Sequence, residues 1–177
     1  MGSKWTYKAD SGQEWIDEVI GEEKDIYIFL TTGKSESKRY YNKKNMNCVK
    51  ALRDGKEDKG YRDTFRRRFD FPLYLGKKWN FRYTVFSPMT RKDVDTFANL
   101  SVINFEDVSV MAGKFSAVKV KCELNAMGGC HCMEKSYRKF YYWYSPDAKA
   151  IVKFERVPSS ASVYDYMKYE LVSFELK

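Results

Sequence analysis

The chain has 177 residues, with 32 Lys and Arg against 24 Asp and Glu for a net charge of +8, and 17% of it is aromatic. That length fits one domain. Its longest apolar run, Ile26 to Leu30, is far below the ~20 residues that a membrane-spanning helix needs, and a single histidine, His131, excludes any centre built on several histidines.

Met1-Gly2-Ser3 reads as an expression-vector remnant, which leaves residues 4–177 as a single β domain. From there the hydrophobic period is two rather than three and a half, the signature of strands. Strands are expected at Trp5–Lys8, Glu14–Ile20 and Asp25–Thr31. The stretch Asp10–Asp25 carries seven acids and one base. It is followed by a basic stretch, Lys34–Arg82, with 16 bases and six acids. The two could cancel across neighbouring strands, or the second could present a basic face to an anionic partner. Ser35–Leu52 has no clean helical stripe, and its second half, Met46–Leu52, fits a strand.

Gly55-Lys-Glu-Asp-Lys-Gly60 has the spacing of a phosphate loop but continues with Tyr61 instead of Lys-Ser/Thr, so it reads as a charged turn. A strand is expected over Tyr61–Phe69. Within it, Arg66, Arg67 and Arg68 interleave with Phe65 and Phe69 and, with Lys77 and Lys78, make the best candidate anion-binding set. Basic residues between aromatics can track phosphates and stack bases. The nearby Asp63 and Asp70 dilute that patch, which disfavours nucleic acid as the partner.

Trp79–Phe86 alternates aromatic and polar residues strictly, whereas Lys92–Ala98 could give a turn or two of helix. Val108–Val110 and Phe115–Leu124 flank Ala112-Gly113-Lys114 as a hairpin, with Gly113 supplying positive φ. Cys122 falls on the inward face of its strand as a small buried hydrophobe. Cys130-His131-Cys132 is the one local cluster of soft ligands. A structural zinc needs four, so Cys48 or Cys122 would have to complete the set, and a disulfide or idle thiols compete with that reading. A second hairpin is expected from Ser136–Tyr144 and Ala150–Phe154 around Ser145-Pro146-Asp147, with proline opening the turn. Tyr164–Leu176 forms the last strand.

The resulting fold class is all-β, a large, curved antiparallel sheet, open or closed into a barrel, with few or no helices. Curling hides edges that so many strands would otherwise expose, and the aromatic surplus would fill the interior. Trp79, Phe81, Tyr83, Tyr142, Trp143 and Tyr144 are the candidate ligand-binding residues, because they give the strands aromatic faces beyond what a core needs. No nucleophile elbow, zinc-protease helix or dinucleotide turn is present. No cofactor is implied, and an enzyme is not the favoured class. If one exists, it would use acidic residues or a metal at Cys130-His131-Cys132.

Three segments also resemble a group of exported bacterial proteins of unknown function. Phe71-Pro-Leu-Tyr-Leu-Gly-Lys-Lys-Trp79 is similar to their PL-x-x-G-x-x-W strand opening, and Glu106 to Phe115 to their E-x-V-x-V-x-A-G-x-F hairpin. Tyr142 to Lys153 is similar to their W-Y-x-P turn, except that Ala148-Lys149-Ala150 stands where a glycine is usual. The resemblance implies a β barrel or half-barrel close to periplasmic lipoproteins and lipoprotein carriers, and an extracytoplasmic location. It carries no catalytic residues. The expected function is therefore a non-catalytic envelope protein that binds a lipid-like, apolar or amphipathic ligand, or a protein partner, on its curved aromatic sheet. Anionic-polymer or nucleic-acid binding through 34–82 is the alternative.

Overall fold

The computed structural model describes residues 1–58, 68–87, 91–127, 136–158 and 167–177. Within these residues there is no helix. The strands are β1 (Lys4–Ala9), β2 (Glu14–Glu23), β3 (Ile26–Thr32), β4 (Ser37–Asn42), β5 (Cys48–Arg53), β6 (Lys56–Glu57), β7 (Lys78–Ser87), β8 (Lys92–Val110), β9 (Gly113–Met127), β10 (Ser136–Ser145), β11 (Ala150–Val157) and β12 (Lys168–Glu175).

They form one antiparallel sheet of 12 strands in the order β6-β5-β4-β3-β2-β1-β12-β11-β10-β9-β8-β7. Every connection but one joins neighbours in that order. The exception is the long excursion from β6 to β7, which run at opposite edges, so the sheet is open rather than a closed barrel. Pairing of β1 with β12 joins the N-terminal half to the C-terminal half, from Lys4 opposite Glu175 to Ala9 opposite Tyr169.

The sheet curls, and the segment after residue 67 spans its hollow. Phe69 exchanges two hydrogen bonds with the buried Asn47 side chain just before β5: its carbonyl accepts from Nδ2 at 3.2 Å and its N–H donates to Oδ1 at 3.3 Å. The Phe69 ring meets Tyr142 and Tyr144 of β10 at 5.7 and 5.0 Å. A flat sheet could not bring β5 and β10, separated by six strands, to the same ring. Pro72 does not open a strand as its position suggested. It lies in this connecting segment, which Lys77 Nζ holds through the Asp70 carbonyl, the Asp70 carboxylate at 3.1 Å and the Pro72 carbonyl at 3.0 Å.

Lys92–Ala98 is strand, paired with β7 on one side and, over most of its length, with β9 on the other. Its inward positions include Thr96 and Ala98, both buried. A bulge at Ile103 interrupts β8, and beyond it the β8–β9 hairpin reaches β12, where Ala112 N–H donates to the Leu171 carbonyl at 3.0 Å. Bulges bend a strand in this way. At the turn, Gly113 has φ 128°, the region that glycine tolerates best. In the β10–β11 turn Lys149 itself takes φ 51°. That is the left-handed region, which glycine adopts more readily than lysine.

Most of the acidic N-terminal strip lies on β2. Lys4 and Lys8 of β1 meet Glu18 and Glu14 at 3.3 and 3.0 Å, and Lys43 meets Glu22 at 2.9 Å. Among the described residues the strip is met by β1 and also, at Lys43 and through the Arg39 and Arg68 charges acting on Asp17, by the basic middle of the chain.

Candidate ligand cavity

Register puts alternate residues of β1–β5 on one face. Trp5 stands beside Asp17, Asp17 beside Thr31, Thr31 beside Ser37 and Ser37 beside Arg53, a row running across five strands. Adjacent rows place Tyr7 beside Trp15 and Phe29 beside Arg39. This face, with Phe69, Tyr144 and Tyr169, lines a half-open cavity of about 490 Å³. That volume is within the range of small-molecule sites, ~300–1,000 Å³.

The wall is a chain of rings. Trp5 stacks on Phe29 at 5.7 Å, and Phe29 meets Tyr41 edge-on at 5.0 Å. Tyr7 stacks on Trp15 at 5.3 Å, and Tyr169 packs edge-on to both, at 5.7 and 5.1 Å. Trp5 is fixed from behind, its indole N–H donating to the Ala148 carbonyl at 2.7 Å. Pinned rings of this kind give a preformed apolar surface at little entropic cost on binding.

A polar centre interrupts the rings. Asp17 Oδ1 accepts a 2.6 Å hydrogen bond from Thr31 Oγ1. Burial pushes the Asp17 carboxyl above the ordinary aspartate range, against the Thr31 bond and the charges of Arg39 and Arg68, which favour ionisation. Burial likewise pushes the Tyr41 phenol up to about 12 and the Tyr7 phenol well above its usual value, so both stay neutral donors.

Among the sequence-derived ligand candidates, Tyr144 lines this cavity. Trp79, Tyr83 and Tyr142 are buried in a core cluster with Leu100, Val102 and Val120, and Phe81 packs against it. Trp143 points to the other face of β10. There its indole N–H donates to Glu106 at 2.6 Å, and Lys119 and Lys153 each lie 4.8 Å from its ring. That hydrogen bond is the main reason Glu106 is held below the usual carboxylate range, and it ties together two of the three segments that carried the family resemblance. Of the anion candidates, Arg68 lines the cavity, Lys77 secures the connecting segment, and Lys78 is exposed at the start of β7. Arg66 and Arg67, like Cys130, His131 and Cys132, lie outside the described residues. Cys48 and Cys122 are buried, the Cys48 thiol donating to the Lys50 carbonyl at 3.3 Å, and burial pushes the Cys122 thiol up to about 12.

Sequence reasoning did not single out Trp5, Tyr7, Trp15, Asp17, Phe29, Tyr41 or Tyr169 as site residues. Their alternation was readable, but which face of which half of the sheet stays hollow follows only from the β1–β12 pairing.

Solved structures share this fold. A crystal structure described as a "putative lipoprotein" from Parabacteroides distasonis aligns over 98% of this chain and 95% of its own, with TM-score 0.56 and 15% identity. The hypothetical lipoprotein YmcC from Escherichia coli aligns over 97% of this chain and 84% of its own, with TM-score 0.54 and 8% identity. At such identities the likeness is one of fold. No family model and no curated protein sequence matches the chain.

Proposed function

We propose that this protein is a non-catalytic component of the cell envelope that holds an apolar or amphipathic ligand in the hollow of its half-barrel. The observation that carries the reading is the cavity of about 490 Å³ walled by pinned aromatic rings. A core would fill such a space with side chains, whereas a binding site leaves it open with a few polar groups converging on it. The extracytoplasmic part of the reading is supported by the fold shared with two proteins described as lipoproteins. Among its described lining residues Asp17 is the one acid. Acid–base hydrolysis of glycosides uses a pair of carboxyl groups.

The test is organic extraction of the purified protein followed by mass spectrometry, alongside an Ala9→Phe variant. Ala9 lines the cavity, and a benzyl group there would occupy the ligand's volume. A lipid-like species near one per chain, lost in Ala9→Phe, is the expected result. Equal loading of both proteins would move the site elsewhere. If no species copurifies and an added apolar fluorophore gives no change in tryptophan emission, the ligand-binding reading fails.

A further inference from the structure

We infer that the outer face of β2–β5 packs against the same face of a second copy of this chain, about a two-fold axis that runs along β3. This face is the reverse of the one that lines the cavity, so the inference is independent of the ligand-binding reading.

Register defines the face. Glu18, Leu30, Lys38 and Leu52 alternate with the cavity row and stand side by side across β2, β3, β4 and β5. The next row is Gly21, Ile28, Tyr40 and Lys50, with Ile20 in the bulge before Gly21. On the other side Ile16 stands opposite Thr32. Ile16, Ile20, Ile28, Leu30, Tyr40 and Leu52 neither line the cavity nor belong to a core cluster. Ile16 and Ile20 are 39% and 40% exposed. A Cβ at Gly21 would lie 3.7 Å from Ile28 Cδ1, so the glycine leaves that side chain open on one side. Among the described residues no second sheet or helix packs on this face. The outward positions of β9–β12 are built differently: Lys121 meets Glu123 at 3.1 Å, and Glu155 meets Lys153 and Lys168 at 3.1 and 3.4 Å. A charged face of that kind suits water, whereas an apolar sheet face calls for another layer.

The order of charge across the strands selects the partner. Glu14 and Glu18 on β2 border the apolar strip on one side, and Lys38 and Lys50 on β4 and β5 border it on the other. A two-fold along β3 lays β2 of one copy over β4 of the other, an aligned packing of two sheets. Because Glu18, Leu30 and Lys38 share one row, the rotation sets Glu18 of each copy against Lys38 of the other, and Leu30 against Leu30. An axis across the strands would instead set β2 against β2, acid against acid. Glu18 meets Lys4 at 3.3 Å and Lys50 lies 5.2 Å from the Tyr40 ring. The sequence of signs is therefore what matters, not unpaired charge, and exposed pairs of this kind are weak enough to be shared. A membrane surface fits less well, since Glu14 and Glu18 would face lipid phosphates. Four strands ~4.8 Å apart and about 20 Å long offer roughly 400 Å² per copy, the small end of specific interfaces, so the dimer dissociates on dilution.

The experiment is sedimentation velocity and light scattering of the full chain from about 1 to 300 µM, which brackets a weak association. The expected result is monomer at the low end and dimer at the high end. Leu30→Lys sets a cation against its own copy on the two-fold and should leave monomer at every concentration, with the far-ultraviolet spectrum of the parent. Ile20→Lys, at a position already 40% exposed, should do the same and keeps the test decisive if Leu30→Lys fails to fold. Glu18→Lys and Lys38→Glu should each weaken the homodimer about tenfold or more, since each sets like charges together at two symmetric places. Mixed in equal amounts, those two variants should form a heterodimer near the parental strength, because every lysine then meets a glutamate. Monomer throughout the range overturns the inference. So does a dimer that neither Leu30→Lys nor Ile20→Lys disturbs, and a lack of recovery on mixing overturns the axis along β3. A parent chain that stays monomeric but floats with phosphatidylcholine vesicles, a property lost in Leu30→Lys, would give the face to a membrane and overturn the second copy.

Discussion

Asp17 sits where a carboxylate is poorly solvated, between Trp5 and Thr31 on an aromatic face, and its proton is correspondingly held above the ordinary aspartate range. A raised acid pKa means that the folded chain binds this proton more tightly than the unfolded chain does. Its contribution is therefore favourable at acid pH and is lost as pH rises from the ordinary aspartate range through the folded-state value. Asp17→Asn keeps an oxygen to accept from Thr31 and removes the charge. It should be more stable than the parent at neutral pH, and the difference should vanish in acid. Thermal midpoints of both proteins across the pH range check this directly. Comparing the pair cancels carboxylates such as Glu106, whose lowered pKa gives the opposite slope. A constant difference at every pH would mean that Asp17 acts through its hydrogen bond alone.

Between residue and sheet, the connecting segment does the work of closing the hollow. Asn47→Ala removes both hydrogen bonds to Phe69 and leaves a buried backbone N–H and C=O without those partners. An unsatisfied buried group costs ~1–3 kcal/mol, so denaturant unfolding should show a loss of about 2 kcal/mol, and ligand probes should bind more weakly because Phe69 is a cavity wall. A loss of stability with unchanged binding would make the segment a brace and no part of the site. Elements such as this mark where sequence reading stops. Strands with aromatic or branched residues at alternate positions, Trp79–Phe86 and Phe115–Leu124 among them, announce themselves. Lys92–Ala98 does not, because its inward residues include Thr96 and Ala98, too weakly apolar to set a period of two against intervening aspartates. The cavity was less legible still. Trp5, Asp17, Phe29 and Tyr169 become neighbours only through strand order, and nothing local in the chain states that β1 pairs with β12. Tyr144 stands out because it sits in an aromatic run, and Tyr142 and Trp143 of the same run are both core residues, in two different clusters.

At the scale of the whole molecule, the two halves of the open 12-stranded sheet are joined by the β1–β12 pairing, by the Trp5 hydrogen bond to Ala148 and by Tyr169 against Tyr7 and Trp15. The cavity is lined by β1–β5 from one half and by β10, β11 and β12 from the other. An occupant therefore touches both halves and should stabilise the fold as a unit rather than one edge of it. Binding to the native state alone contributes RT ln(1 + [L]/Kd), ~2.7 kcal/mol at a hundredfold excess over Kd. For a chain of this length each kcal/mol moves the thermal midpoint by roughly 2–4 °C, so a saturating amphiphile should raise it by about 5–10 °C. Near-ultraviolet and far-ultraviolet circular dichroism should shift together, since the aromatic wall and the sheet would melt as one. The Ala9→Phe variant should show neither shift. If the near-ultraviolet transition moved alone, the ligand would be ordering the rings without coupling the two halves, and the hollow would be a pocket in one half rather than the seam that joins them.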